Sequence, residues 1–470
     1  MIICCNTRND WPDARNCGLS IVVNGEQLRD LMAEVFAPDL VMNYAREVKL
    51  VQRERQLDVL RLVLSLVLTG GTEESGRQYA VLQTYLESGA PRVGRGGFYS
   101  WFNEPLERLL TELLGRAQRA AAEVPLILPG ILGTVSDWRI VDSTTIKLDD
   151  DLIEEWRGAG DYAAVKIHKE WSVGRGNLWT YSLSAASEHD SLHIEVDESR
   201  RGTGLLVDLG YASLERLRQC EQHDVRYVIR LKSNWKVRVT RLVRGELAGQ
   251  LGIKTDLGML LVDEVLVTDD KAIDADVELG PTASPLRCRL VGVPTPRGYI
   301  FFLTNLARKT HGPLQVGQLY RVRWEIELDN KVDKTGAHID RISAQKPVSV
   351  RILILASLIN ATLARIIVQR EKIALLAKRA LSEKSGKVEL TDPPLHPLQT
   401  IRTMRTCVQH VLDLVLGNSP SRSEWSLLLA RVRLLGHDPN WRRRPSVLDE
   451  LQGLTASPFP SSKTRGKRTN

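Results

Sequence analysis

Leu319-Tyr320-Arg321-Val322-Arg323-Trp324-Glu325-Ile326-Glu327, running on through Asp329 and Lys331 to Lys334, is the most informative stretch of this chain. Wound as an α-helix at about 100° per residue, it sets Tyr320, Arg323, Glu327 and Lys334 at roughly 0°, 300°, 340° and 320°, a single narrow stripe. Leu319, Val322 and Ile326 fall on an adjoining face at roughly 200° to 260° and would seat the helix against a sheet. The stripe is then free to overlook an open site. A carboxylate flanked by arginine, lysine and a phenol suits a metal bound beside a phosphate: the acid holds the cation while the donors steady the phosphodiester oxygens. The competing reading is a solvated ion-pair ladder, which charged helix faces usually are.

Upstream of this helix the texture is that of a sheet. Trp138 to Leu148, Ala163 to Trp171 and Leu178 to Ser187 carry strand-type residues between polar or glycine breaks and predict a three-stranded meander. Leu205 to Val207, a helix from Ser213 to Cys220 and a strand from Tyr227 to Leu231 continue it as alternating α and β. Lys236 to Val243 and Met259 to Val267 predict a β-rich insertion over about 234–288, and Arg289 to Val293 with Tyr299 to Thr304 a hairpin that leads back to the sheet. Two apolar strands end in a carboxylate, at Ile140-Val141-Asp142 and at Leu205-Leu206-Val207-Asp208.

Tyr320-x2-Arg323-x3-Glu327-x6-Lys334 resembles the YREK signature of the insertion-sequence "four" family of DDE transposases. Asp142-Ser143-Thr144 is similar to the family's opening D-S-T segment, and Asp208-Leu209-Gly210-Tyr211 to its D-R-G-Y segment, with Leu209 where the family has arginine. The resemblance spans about 137–344 and implies an RNase H-like core: a mixed α/β sheet flanked by helices, with catalytic and metal-binding residues Asp142, Asp208 and Glu327. It assigns Tyr320, Arg323 and Lys334 to DNA. Three hard carboxylates can hold two Mg2+ ions, for which Mn2+ would substitute, about 3.5 to 4 Å apart across a phosphate. Trp324 is a further DNA-binding candidate through base stacking, set against packing beside the sheet. In relatives an aromatic residue of the insertion region holds a flipped base, and Tyr299 is the nearest counterpart. Lys166 and His168 are weighed between facing DNA and a structural role.

Outside the core, Arg46 to Leu68, Gln78 to Glu87, Phe98 to Phe102 and Glu104 to Glu123 predict helices. With Arg92 and Arg95 at a tight turn they permit a helix-turn-helix, while Phe98, Tyr99, Trp101 and Phe102 read as core. Helices are also predicted over Val348 to Gln369, Lys372 to Glu383, His396 to Leu416 and Glu424 to Leu434. The expected division is a poorly ordered leader over 1–40, a helical DNA-binding domain over 41–125 and the core over 126–345. A helical region for dimerisation or DNA contact over 346–455 and a basic tail over 456–470 complete it. At 470 residues, two to four units are expected.

A hydrophobic share of 43% and a charged share of 26% exclude a disordered chain, and a net charge of +7 with a pI near 9.0 suits a polyanion. Six scattered cysteines form no CxxC pair and point to a reducing compartment. Without a signal peptide or a bilayer-length apolar run, no membrane partner is expected, and the expected location is the bacterial cytoplasm, at the nucleoid. The function expected is cut-and-paste transposition on double-stranded DNA, terminal inverted repeats and target alike, by a homodimer. The alternatives are a catalytically silent repressor or end-bridging protein derived from a transposase, and a metal-free two-carboxylate glycosidase. The last leaves Tyr320, Arg323 and Lys334 unexplained.

Overall fold

The computed structural model describes residues 24–51, 57–69, 77–244, 272–295, 298–384, 393–417, 422–441 and 445–454. Its first helices are α1 (Gly25–Phe36), α2 (Pro38–Glu47), α3 (Val59–Thr69), α4 (Arg77–Glu87), α5 (Arg95–Ser100) and α6 (Glu104–Glu123). Asn24 caps α1 by accepting from Gln27 N while the Gln27 side chain returns the bond, and Asn103 caps α6 through Leu106 N. Such caps satisfy the orphan N–H groups of a first turn. Helix α6 then buries Leu106, Leu109, Leu110, Leu113, Leu114 and Ala117, one apolar face at helical spacing.

The sheet follows with β1 (Trp138–Lys147), β2 (Ala164–Ser172), β3 (Asn177–Ala185), β4 (Gly204–Val207), helix α7 (Leu214–Gln222), β5 (Arg226–Arg230), β6 (Val237–Arg244), β7 (Ile273–Leu279), β8 (Leu286–Thr295) and β9 (Gly298–Thr304). Strand order is β3-β2-β1-β4-β5-β9-β8-β7-β6. The first three strands are an antiparallel meander, while β4 runs parallel to β1, and β5 parallel to β4. This five-strand order and polarity is the RNase H-like arrangement expected from the sequence. The insertion strands extend the same sheet, because β9 pairs antiparallel with β5 and β8, β7 and β6 follow in turn.

The chain ends in α8 (Pro313–Arg321), α9 (Trp324–Thr335), α10 (Pro347–Lys384), α11 (Pro397–Thr406), α12 (Val408–Val415), α13 (Arg422–Leu435) and α14 (Val447–Leu451). Trp138, Ile140, Leu206 and Val228 meet Leu319, Val322 and Ile326 on one sheet face, while Val141, Val207 and Tyr227 meet Leu217 and Cys220 of α7 on the other. Helix α10 packs on α6 and α3, and α13 on α1, so N-terminal and C-terminal helices share one core. Over 347–380, α10 is long and apolar enough to cross a membrane, but 94% of its most apolar window is buried against the protein.

Several expectations are corrected. The single helix over Arg46 to Leu68 is two helices: Lys49 takes a left-handed φ of 63°, and Asp58 starts α3 by accepting from Arg61 N. Helix α1 occupies 25–36 of the expected leader. Two expected helices merge into α10, because Arg370 and Glu371 are spent on Gln27 O and Arg433 rather than on breaking the helix. His396 to Leu416 divides at Cys407 into α11 and α12. The strand over 259–267 and the tail over 456–470 lie outside the described residues.

The stripe-bearing helix also divides. At its centre the bonds shorten from four residues to three, with Val322 N to Leu319 O, Arg323 N to Tyr320 O, Glu325 N to Val322 O and Ile326 N to Arg323 O. Winding at about 120° per residue eclipses residues three apart, so Tyr320 stays in line with Arg323, whose guanidinium carbon lies 5.9 Å from the phenol ring centroid. Its ring lies in the core, 4.9 Å from that of Phe302.

Candidate active site

The parallel register pairs Val141 with Val207, so Asp142, midway along β1 rather than at its end as the sequence suggested, stands beside Asp208, the residue that follows β4. Adjacent strands stand about 4.8 Å apart. Asp142 shares the α8/α9 face with Ile140, two residues before it. Lys169 pairs across the strands with Asp142, and its side chain therefore rises on the same face.

Lys169 fixes α9 over this spot. Its Nζ lies 2.6 Å from Asp329 Oδ2 and 2.8 Å from Asp333 Oδ2, and Arg365 of α10 closes the set at 2.5 Å to Asp329 Oδ1 and 2.5 Å to Asp333 Oδ1. All four are buried. Two cations and two anions in mutual contact leave no uncompensated charge, the condition under which buried ions persist. With α9 so anchored, Asn330 Nδ2 donates to Asp142 Oδ2 at 3.3 Å, and Glu327 lies one turn earlier on the same helix.

Asp142 carries the electrostatic signature of the cluster. Burial pushes its carboxyl up to about 6, the Ser143 N–H and Arg323 oppose the shift, and the charges of Asp208 and Glu327 add to it. Arg323 Nη2 donates to Glu327 Oε1 at 2.5 Å. Among the described residues no three His, Cys, Asp or Glu side chains already stand close enough to hold a metal ion. Asp208 and Glu327 lie near enough for their charges to act on Asp142, and Glu327 is paired with Arg323.

A hard divalent ion with a phosphate fits the groups that remain. Tyr320 Oη and Arg323 Nε are buried donors, and Asn330 Oδ1 a buried acceptor, none with a partner of good hydrogen-bond geometry. Leaving such a group unpaired costs about 1–3 kcal/mol. Phosphate oxygens would satisfy the donors, and three carboxylates with one amide oxygen are the donor set that hard cations prefer.

Lys334 is half-buried in the last turn of α9, and Trp324 is 57% exposed rather than packed beside the sheet. Tyr299 stacks on Phe301 in β9. Asp329 is a buried member of the four-charge set. Lys166 is spent on Glu188 O and Asp190. His168 is buried, with Nε2 2.9 Å from Ser184 Oγ, Nδ1 3.3 Å from Tyr211 Oη, and its ring stacked on His193. His168 serves the core, and Lys166 is held in a partly exposed ion pair. The sequence reading missed Asn330, Lys169 and Arg365; Asp329 and Asp333 at i, i+4 spacing were the available signal, since two acids on one face require a cation.

Burial first, then His193, push the His168 imidazole down to about 4, so it is neutral in the fold. An unfolded histidine titrates near 6.5. A depressed folded value means that its stabilising contribution is present above pH 6.5 and is lost as pH falls toward 4. Thermal unfolding measured from pH 7 to pH 4 should show a steeper fall for the wild type than for His168→Gln. Equal slopes contradict this assignment.

Residues 134–363, just short of half the chain, match the family described as "Transposase DDE domain". The transposase for insertion sequence element IS231F from Bacillus thuringiensis subsp. israelensis is 23% identical over 447 residues, covering 83% of this chain and 92% of that protein. The transposase for insertion sequence element IS421 from Escherichia coli is 36% identical over 72 residues, 15% of this chain and 19% of that protein. The piggyBac transposase synaptic complex with hairpin DNA aligns over 94% of this chain and 87% of its own at 10% identity, with a TM-score of 0.39, too low to carry weight. The family match and the full-length relative support a DDE transposase, a class whose general chemistry is DNA cleavage and transfer and which generally uses divalent metal ions.

Proposed function

We propose that this chain is a cut-and-paste DNA transposase of the insertion-sequence "four" type, cleaving strands at the ends of its element and joining them to target DNA. The observation that carries the reading is the parallel pairing of Val141 with Val207, which sets Asp142 beside Asp208 beneath the helix that bears Glu327. The Tyr320, Arg323, Glu327 and Lys334 pattern supports the YREK assignment.

Asp142, Asp208 and Glu327 would hold two Mg2+ ions, replaceable by Mn2+. When bound, such ions supply an activated nucleophile and neutralise charge on the leaving oxygen. Arg323, once released from Glu327, and the Tyr320 hydroxyl beside it would donate to the phosphate, and Lys334, seven residues beyond Glu327, would add a positive charge near the strand. Trp324, exposed beside Arg323, offers its indole to an unstacked base. The helices of 41–125 and 346–455 serve end recognition and pairing of two copies, so that a homodimer brings two terminal inverted repeats together. The proposed setting is the bacterial cytoplasm, at the nucleoid.

Full-length protein incubated with its own element ends and Mg2+ should release 3′-hydroxyl ends, and chelation should stop the release. Binding of the ends without any cleavage in Mg2+ or Mn2+ would leave a silent end-binding protein instead. Arg323→Ala is expected to lower strand transfer on the order of a hundredfold, the scale for losing one preorganised charge-stabilising donor. End binding should weaken far less, because one phosphate contact among many is removed. A parallel loss of binding and transfer would assign Arg323 to recognition instead.

A further inference from the structure

Asn330 lies three residues past Glu327 on α9 and is 9% exposed. Its neighbours are committed elsewhere. Asp329 and Asp333 hold Lys169 and Arg365, Val332 packs with Ala361, Ala364 and Ile401, and Leu328 and Lys331 face solvent. Asn330 alone, among the described α9 residues after Glu327, makes a hydrogen bond to one of the three acids, through Nδ2 to Asp142 Oδ2. The other end of the same amide, Oδ1, is buried and has no partner.

We propose that Asn330 is a fourth protein ligand of the divalent-ion site, supplying Oδ1 as a neutral oxygen donor beside Asp142, Asp208 and Glu327. This rests on the reading of those acids as metal ligands. The amide nitrogen faces Asp142 here because a carboxylate only accepts. The last torsion of asparagine is broad and roughly two-fold, so half a turn exchanges Nδ2 for Oδ1 once a cation takes over Asp142 Oδ2. A carbonyl oxygen suits a hard cation, and it adds no negative charge to a site where Asp208 and Glu327 already disfavour ionisation of Asp142. An aspartate at 330 would add charge, and an aliphatic side chain would remove the donor while filling the space.

Mn2+ binding to the full chain tests this directly, read as the free-ion spin-resonance signal during titration, with metal-free thermal unfolding as the check on folding. Asn330→Leu should weaken Mn2+ binding about tenfold or more, the scale reported by changes beside metal ligands. Asn330→Asp should bind at least as tightly as the wild type but unfold at a lower metal-free Tm, because its carboxylate faces Asp142 with no donor between them, whereas the metal-free Tm of Asn330→Leu should stay near that of the wild type. Wild-type affinity in Asn330→Leu, alongside loss of binding in Asp208→Asn, overturns the role of Asn330 and leaves the triad standing. Mn2+ binding that Asp208→Asn does not disturb removes the triad itself, and Asn330 with it. If the leucine variant fails to fold, Asn330→Asp decides alone: a tenfold loss in that variant refutes a ligand role.

Discussion

Asp142→Ala, Asp208→Ala and Glu327→Ala are each expected to reduce strand cleavage on the order of a thousandfold or more, while binding of element ends stays within about threefold. The size follows from what each carboxylate supports: a bound divalent ion contributes several kcal/mol of charge stabilisation in the transition state, and every 1.4 kcal/mol is about tenfold in rate. Binding should be spared because phosphate contacts, which supply most of a protein's affinity for DNA, are made by cations and not by acids. Glu327→Ala carries a signature of its own. It releases Arg323 from the 2.5 Å pair, so its affinity for ends should rise slightly rather than fall. Release of 3′-hydroxyl ends, with gel-shift binding at one fixed salt concentration, measures both quantities. Cleavage retained in any of the three removes that residue from the site.

Lys169→Met is expected to cost about 3–5 kcal/mol of stability, the range for removing one partner from a buried ion set. Asp329 and Asp333 would be left with Arg365 alone, one positive charge against two negative, all almost inaccessible to water. Because this set anchors α9 above β1, the damage should reach the site as well: end binding should survive at low temperature while cleavage falls. Denaturant unfolding reads the first effect. A loss below about 1 kcal/mol would mean that the four charges are solvated in solution, as exposed pairs are.

The strands were legible in the sequence because Ile140-Val141 and Leu205-Leu206-Val207 are short apolar runs, buried on both faces, that stop at a carboxylate. That the acids of these two runs stand side by side was implied by the family resemblance and not by the runs themselves, since β1 continues past Asp142 to Lys147 while β4 stops before Asp208. Glu327 was legible through spacing, since Arg323, Glu327 and Lys334 share one face. Tyr320 stays in line with Arg323, because the three-residue bonds around Val322 eclipse residues three apart, but a helical wheel gives no sign that its ring is buried against Phe302. Lys169 and Arg365 were hidden for a different reason. Lys169 precedes its acidic partners by 160 residues or more, and Arg365 lies on another helix, so only the packed chain brings them together. Asn330 gave no signal at all, because an amide acquires meaning only from the carboxylate it touches.

The Arg323–Glu327 pair sharpens what loading the site requires. Three carboxylates repel one another without a cation, and Glu327 relieves part of that repulsion by holding the arginine. A phosphate drawn to Arg323 and a cation drawn to Glu327 would separate the two, so DNA and metal should each strengthen binding of the other. Mn2+ titrations with and without an element end read this coupling.

Anomalous diffraction from crystals grown with Mn2+ and a double-stranded element end examines the site most directly. A manganese peak about 2 Å from carboxylate oxygens of Asp142, Asp208 and Glu327, the bond length of a small hard cation, with Arg323 moved onto a phosphate, is the predicted result. Manganese bound elsewhere, or Glu327 still held by Arg323 with DNA in place, would contradict it.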